Sequence, residues 1–249
     1  MTFSGREQKP PLTGLLFDLD GTLLDVRMPL FLESYFPLLA GRFGAGDNLP
    51  RFRKALFGSV RMMMNNRDGS RTLSRIFLES FSPKVGMSQE EVIRVFREFH
   101  REGIDSLRPL TRAVRQAKPL LDRALELGYD IALATNPVFF REAIDVRLRW
   151  AGLKDVPFPF VSSAENMHFC KPHPEYFTEV LKGIGREPAE CMMIGDNPHM
   201  DMPAGEAGLA TWFVPSAERS TSPADADYAG SLEDLGAWLE RPTAPTPLP

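Results

Sequence analysis

Apolar residues follow two rhythms along this chain of 249 residues. Near the start and again beyond about Pro109, short apolar runs alternate with amphipathic stretches. Between these regions the spacing is helical throughout. The run Leu15-Leu16-Phe17, inside a strand predicted over 13–19, has the length and the flanking turn residues of a buried strand. From Met28 to about Arg101 the pattern changes: Phe31, Leu32, Tyr35, Phe36 and Leu39 recur at three- and four-residue spacing, and further helices are predicted over 50–64, 70–81 and 88–101. Ser88-Gln89-Glu90-Glu91 gives the last of these a capping-box start. No convincing strand occurs there, and half of the chain's 18 Phe residues do, enough apolar material for a separate small helical core.

Beyond Pro109 a helix over 110–127 is stopped by Gly128, and an apolar run over 129–134 stops at Thr135-Asn136-Pro137. The pattern continues with a helix over 138–151, a strand near 160–162, a helix over 175–184 ended by Gly185 and a strand over 191–194. A helix over 201–207, a strand over 210–214 and a helix over 232–239 complete it. Strand-helix alternation predicts an α/β fold: a doubly wound parallel, Rossmann-like sheet core, with a small all-helical cap domain inserted after the first strand. The domain boundaries expected are 1–25 with 106–241 for the core and 26–105 for the cap, leaving Met1–Pro11 as a loose lead-in and the Pro-rich 242–249 as a disordered tail.

Composition narrows the class. A hydrophobic content of 43% and a charged content of 25% are those of an ordinary soluble globular protein, and the net charge of -4 argues against a nucleic-acid surface. No apolar run approaches the ~20 residues that span a membrane. Cys170 and Cys191 form no CxxC pair, and there is no signal-peptide pattern; both features fit a reducing cytoplasm, with the cysteines packed as small hydrophobes.

The chemistry gathers at predicted strand ends. Asp18 and Asp20 lie two residues apart at the end of the first strand, followed by Gly21-Thr22. Two carboxylates about 4 Å apart repel by roughly 4 kcal/mol at an effective dielectric near 20, so such a pair calls for a cation or a shared proton. Each cluster also has an ordinary structural role open to it. Asp20-Gly21 makes a turn, Asn136-Pro137 a helix start, Lys171 before a helix a solvated charge and Asp201 an N-cap. Four such clusters, each at a strand end or loop and in this order, are harder to explain that way.

In that order the clusters resemble the four motifs of the haloacid dehalogenase-like (HAD) superfamily, within it the phosphatases with a helical cap between the first and second motifs, the phosphoglycolate phosphatase-like type. They are DxDGT at Asp18–Thr22, Thr135 after the second strand, Lys171 before a helix and GDxxxxD at Gly195–Asp201, over about 12–24 and 108–240. The resemblance implies Asp18 as nucleophile, forming an aspartyl-phosphate, and Asp20 as general acid and then base. It also implies Thr135, Asn136 and Lys171 as phosphate-binding groups, with Thr135 and Lys171 part of the catalytic set. Mg²⁺ would be held by Asp18, the Asp20 backbone carbonyl and Asp196, with Asp201 behind them orienting Lys171 or a metal-bound water. Halide-displacing relatives lack an acid at the second position, so Asp20 favours phosphoryl transfer.

The expected function is Mg²⁺-dependent hydrolysis of a small phosphorylated metabolite by a cytoplasmic monomer or homodimer with no nucleic-acid or membrane partner. Phosphomutase action on a phosphosugar stays open, and so does a silent phosphate- or partner-binding protein. Arg61–Arg67 is read as packed Met with solvated Arg, against a direct role in holding substrate. Asp25 is read as the N-cap of the insertion, and His168, His173 and His199 as surface or helix-cap groups.

Overall fold

The computed structural model describes residues 12–216 and 226–241. Both the lead-in and the Pro-rich tail expected from the sequence lie outside them. Strand β1 (Gly14–Phe17) is buried at all four positions, because a parallel sheet is covered on both faces. After β1 comes β2 (Leu24–Val26), then four helices: α1 (Met28–Arg42), α2 (Leu49–Met64), α3 (Leu73–Val85) and α4 (Gln89–Glu98). Strand β3 (Thr111–Ala113) brings the chain back, followed by α5 (Ala117–Glu126), β4 (Asp130–Leu133), α6 (Arg141–Trp150) and β5 (Phe160–Val161). The remaining elements are α7 (Pro174–Ile184), β6 (Cys191–Gly195), β7 (Ala210–Phe213), β8 (Tyr228–Ala229) and α8 (Leu232–Leu239).

Six strands form one parallel sheet in the order β5-β4-β1-β6-β7-β8, the doubly wound arrangement expected. The chain winds outward on one side of β1 and then on the other, so the carboxyl ends of β4, β1 and β6 open into a common crevice. The helical stretch leaves the sheet just after β1 and forms the expected cap-like layer. Its caps follow local chemistry. Ser88 Oγ accepts from Glu91 N–H while the Glu91 carboxylate accepts from Ser88 N–H, and α3 ends at Gly86 with φ +72°. Phe43, Phe81 and Phe96 pack with ring centroids 5.3–6.2 Å apart, and Phe140, on the loop before α6, reaches into this cluster 5.4 Å from Phe96. Leu73 and Ser74, at the α3 N-terminus, donate their N–H groups to the carbonyls of Met167 and Ala164. These bonds satisfy otherwise orphan helix donors and tie the helical layer to the sheet's loops.

Several boundaries differ from expectation. Asp25 does not cap the insertion: it lies within β2, which pairs antiparallel with β3, and its carboxylate meets Arg112 at 2.6 Å. The chain therefore enters and leaves the helical layer through a two-stranded ribbon, and the helix expected over 110–127 begins only at Ala117. The stretch 202–207 is a 3₁₀ helix, and α6 starts at Arg141 rather than Val138. The short β8, whose two residues carry no periodicity, extends the sheet by one strand. Cys170 and Cys191 are free and buried, as expected. Among the described residues no helix is long and apolar enough to cross a membrane.

Candidate active site

Three strand ends build the site. The N–H of Asp18 donates to the carbonyl of Ile194 and the N–H of Ala134 to that of Phe17, so Asp18, Thr135 and Asp196 leave the sheet side by side. Their ordinary structural roles disappear at this point. Asn136 caps nothing, since the N-cap position of α6 is Phe140 and the helix's first N–H, that of Arg141, donates to the Glu165 carboxylate. Lys171 is no solvated charge but 1% exposed. Asp201 makes no side-chain cap bond on its 3₁₀ helix.

Instead Lys171 Nζ donates to Asp18 Oδ1 at 2.8 Å and to Asp201 Oδ1 at 2.5 Å, while Asp201 Oδ2 accepts from the N–H of Asn197. Burial works against the Lys171 charge, yet the carboxylates of Asp18 and Asp201 outweigh it and hold its pKa above the usual lysine range. Burial also pushes Asp201 up, against the pull of Lys171. Thr135 is buried, and its carbonyl accepts from the hydroxyls of Ser162 and Tyr176. Two glycines are required by close approach. Gly21 has φ +97°, and a Cβ there would overlap the Asp196 carboxylate; a Cβ at Gly195 would overlap that of Asp201.

Carboxylate oxygens of Asp18, Asp196 and Asp201 lie within 4.8 Å of one another. Asp20 lies in the turn after β1, with its Oδ2 held by Arg147 of α6. Burial raises the Asp20 pKa and Arg147 opposes it, with a net upward direction. Arg147 belongs to none of the four sequence clusters. It is buried, its Nε donates to the carbonyl of Ala143, and its guanidinium lies 4.1 Å from the centre of the Phe139 ring. Its place on the apolar stripe of α6, with Ala143, Ile144 and Trp150 at i−4, i−3 and i+3, was the available signal.

The site fits a hard divalent cation. The carboxylates of Asp18, Asp196 and Asp201 are buried together, and this donor set is all oxygen. Asp20 Oδ1, Thr22 Oγ1, Asn136 Oδ1 and Arg147 Nη2 are buried atoms with no hydrogen-bond partner among the described residues. These atoms belong to the same strand-end loops and the helix beside them, which suits a site built for a ligand.

Other sequence candidates fall elsewhere. Arg61, Asn65 and Arg67 are exposed and Met63 is packed inside, but Met62 is exposed, so the Met packing expected for this segment holds only in part. His168 Nδ1 pairs with Glu179 at 2.6 Å, while His173 Nε2 donates to the carbonyl of Met64 and so joins the Lys171 loop to the end of α2. His199 is exposed.

Comparison with known proteins agrees with this geometry. The family model described as haloacid dehalogenase-like hydrolase matches residues 12–208. The pyrophosphatase PpaX of Bacillus velezensis is 28% identical over 225 residues, covering 87% of this chain and 91% of that protein. Among solved structures, an HAD phosphatase from Thermococcus onnurineus aligns with a TM-score of 0.59 at 21% identity, over 92% of this chain and 98% of that one. The magnesium-bound HAD-hydrolase YfnB of Bacillus subtilis aligns with a TM-score of 0.56 at 23% identity, over 92% and 99%. With the motifs, the sheet order and the family match in agreement, the chain belongs to the haloacid dehalogenase-like hydrolases, in their phosphatase branch.

Proposed function

We propose that the protein is a Mg²⁺-dependent phosphatase that hydrolyses a small phosphorylated metabolite through an aspartyl-phosphate on Asp18. The observation that carries this reading is the buried Lys171 ammonium, shared between Asp18 and Asp201 beside a third buried carboxylate, that of Asp196. Such a cluster positions a nucleophilic carboxylate and draws in both a cation and a phosphoryl group.

Asp18 attacks phosphorus while Lys171 offsets charge on both partners. Thr135 and Asn136, at the end of β4, supply donors to the phosphoryl oxygens. Asp20 gives its proton to the departing oxygen and then takes one from the hydrolytic water. Asp201 fixes Lys171 in place. Asp18, Asp196 and the Asp20 carbonyl would hold the Mg²⁺, which when bound neutralises phosphoryl charge. The compact donor set and the all-oxygen chemistry support that assignment.

The test is phosphate release from p-nitrophenyl phosphate with Mg²⁺ and with excess EDTA, in wild type and in Asp18→Asn. Release that needs both the metal and Asp18 is expected. An Asp18→Asn protein as active as wild type would remove Asp18 as nucleophile, and conversion of a phosphosugar to its isomer without phosphate release would replace hydrolysis by mutase action.

A further inference from the structure

Arg147 is a buried charge that the packing of α6 does not call for. It shares the helix's apolar stripe with Ile144 and Trp150, where an apolar side chain of similar size would pack without desolvating a charge. Replacing a buried ion pair by well-packed apolar groups is often neutral or stabilising, so folding alone gives little reason for a guanidinium here. Two of its contacts are local: the Ala143 carbonyl, which accepts from Nε, and the Phe139 ring, 4.1 Å away. Nη2 is buried and, among the described residues, has no partner. The carboxylate it pairs with belongs to Asp20, 127 residues away in the chain. Asp20 depends on this contact in turn. Oδ2 accepts from Arg147, Oδ1 is buried without a hydrogen-bond partner, and no other described side chain bonds to the carboxylate. Asp20 also lines, together with Asp196, an open cavity of about 650 Å³ bounded by the β2–β3 ribbon and the start of α8.

Resting on the phosphatase reading above, we propose that Arg147 is a positioning residue for the reaction: by holding Oδ2 it fixes the Asp20 carboxyl group so that Oδ1 exchanges the proton with the substrate. The terminal torsion of an aspartate is broad and roughly two-fold, so a carboxyl group on a turn would otherwise present either oxygen over a wide arc. A guanidinium that is itself held by the Ala143 carbonyl and the Phe139 ring removes that freedom. The proton then resides on the oxygen whose lone pairs are free, which is Oδ1. In the first transfer the Oδ1 proton passes to the ester oxygen as the bond from phosphorus to that oxygen breaks and the bond from Asp18 to phosphorus forms. Asp20 is left as a carboxylate matched by Arg147. When water attacks the phosphorylated Asp18, its proton returns to Oδ1 and Asp18 is released. Because α6 lies between β4 and β5, the core of the molecule aligns the acid.

The experiment measures kcat/KM for phenyl phosphate and p-nitrophenyl phosphate in wild type, Asp20→Asn, Arg147→Met and the double variant, all with Mg²⁺. This ratio reads the steps up to the first phosphoryl transfer. Phenolate is a basic leaving group that needs the proton, whereas p-nitrophenolate departs readily without it. Arg147→Met should lower kcat/KM for phenyl phosphate by about 100-fold, the scale of a misplaced catalytic group, and change p-nitrophenyl phosphate far less. In the Asp20→Asn background the same substitution should cost phenyl phosphate nothing further, since no acid is left to align. Inhibition by orthovanadate should be unchanged in Arg147→Met, because the phosphate-binding groups are untouched. Thermal melts check folding, and Arg147→Lys, expected to recover part of the loss, carries the same comparison if Arg147→Met does not fold. Equal losses for the two esters, or a full additional loss in the double variant, would overturn the positioning role and leave the phosphatase standing. A wild type that hydrolyses neither ester would overturn the phosphatase reading, and the role of Arg147 with it.

Discussion

Arg147 carries a charge into the interior of α6, where 4% of its surface remains exposed. Desolvation on that scale is tolerated because the guanidinium is spread over three partners: the Asp20 carboxylate, the Ala143 carbonyl and the face of Phe139. Removing it strands the Asp20 carboxylate in a buried place. Arg147→Ala should therefore cost about 3–5 kcal/mol, the usual loss when one partner of a buried pair is deleted. Arg147→Lys should recover only part of this, since an ammonium cannot reproduce the planar fork that reaches both Asp20 and Ala143. Urea denaturation midpoints of the two variants measure this. A midpoint for Arg147→Ala within error of wild type would show that Asp20 finds other support.

At the scale of elements, the site depends on strand ends that are followed at once by glycine or by a tight turn. β1 ends at Phe17, and its turn brings Gly21 against Asp196 at the end of β6, with no room for a Cβ. Gly21→Ala must both adopt φ +97° and displace the Asp196 carboxylate. The backbone strain alone costs roughly 1–3 kcal/mol. Loss of most phosphatase activity with a lowered melting temperature is expected, and a variant with wild-type turnover would mean that the two loops separate easily. Much of this scale is legible in the sequence. The apolar runs mark β1, β4, β6 and β7, and Ser88 with Glu91 marks the start of α4. The β2–β3 ribbon is not legible, because three-residue strands have too few positions to establish a period and exist only through pairing across 84 intervening residues.

For the whole molecule, His100 links the first and last parts of the helical layer through Tyr35 and the Phe96 carbonyl. Its folded pKa of about 4 lies below the ordinary 6.5, because burial and then the nearby Arg147 charge disfavour the imidazolium. Between these values the unfolded chain binds a proton that the folded chain refuses. The contribution is thus complete above pH 6.5 and is lost as pH falls from 6.5 towards 4, by about 3 kcal/mol. Chemical denaturation at pH 7.5 and pH 4.5 should show this fall, and His100→Gln should show a shallower one. An equal slope in the variant would assign the acid sensitivity to other groups.

What the sequence determined by itself was local and periodic: the parallel α/β core, the inserted helices, and four short clusters whose spacing carries the family's chemistry. Each of these is written in neighbouring residues, so a reading of runs and turns recovers them. Only the tertiary structure decided that Lys171 is buried between Asp18 and Asp201, which picks out Lys171 from the two partners expected for Asp201, and that Asp20 is matched by an arginine 127 residues away. The physical reason is that burial and pairing depend on which distant side chains share a low-dielectric space, and no local period encodes that.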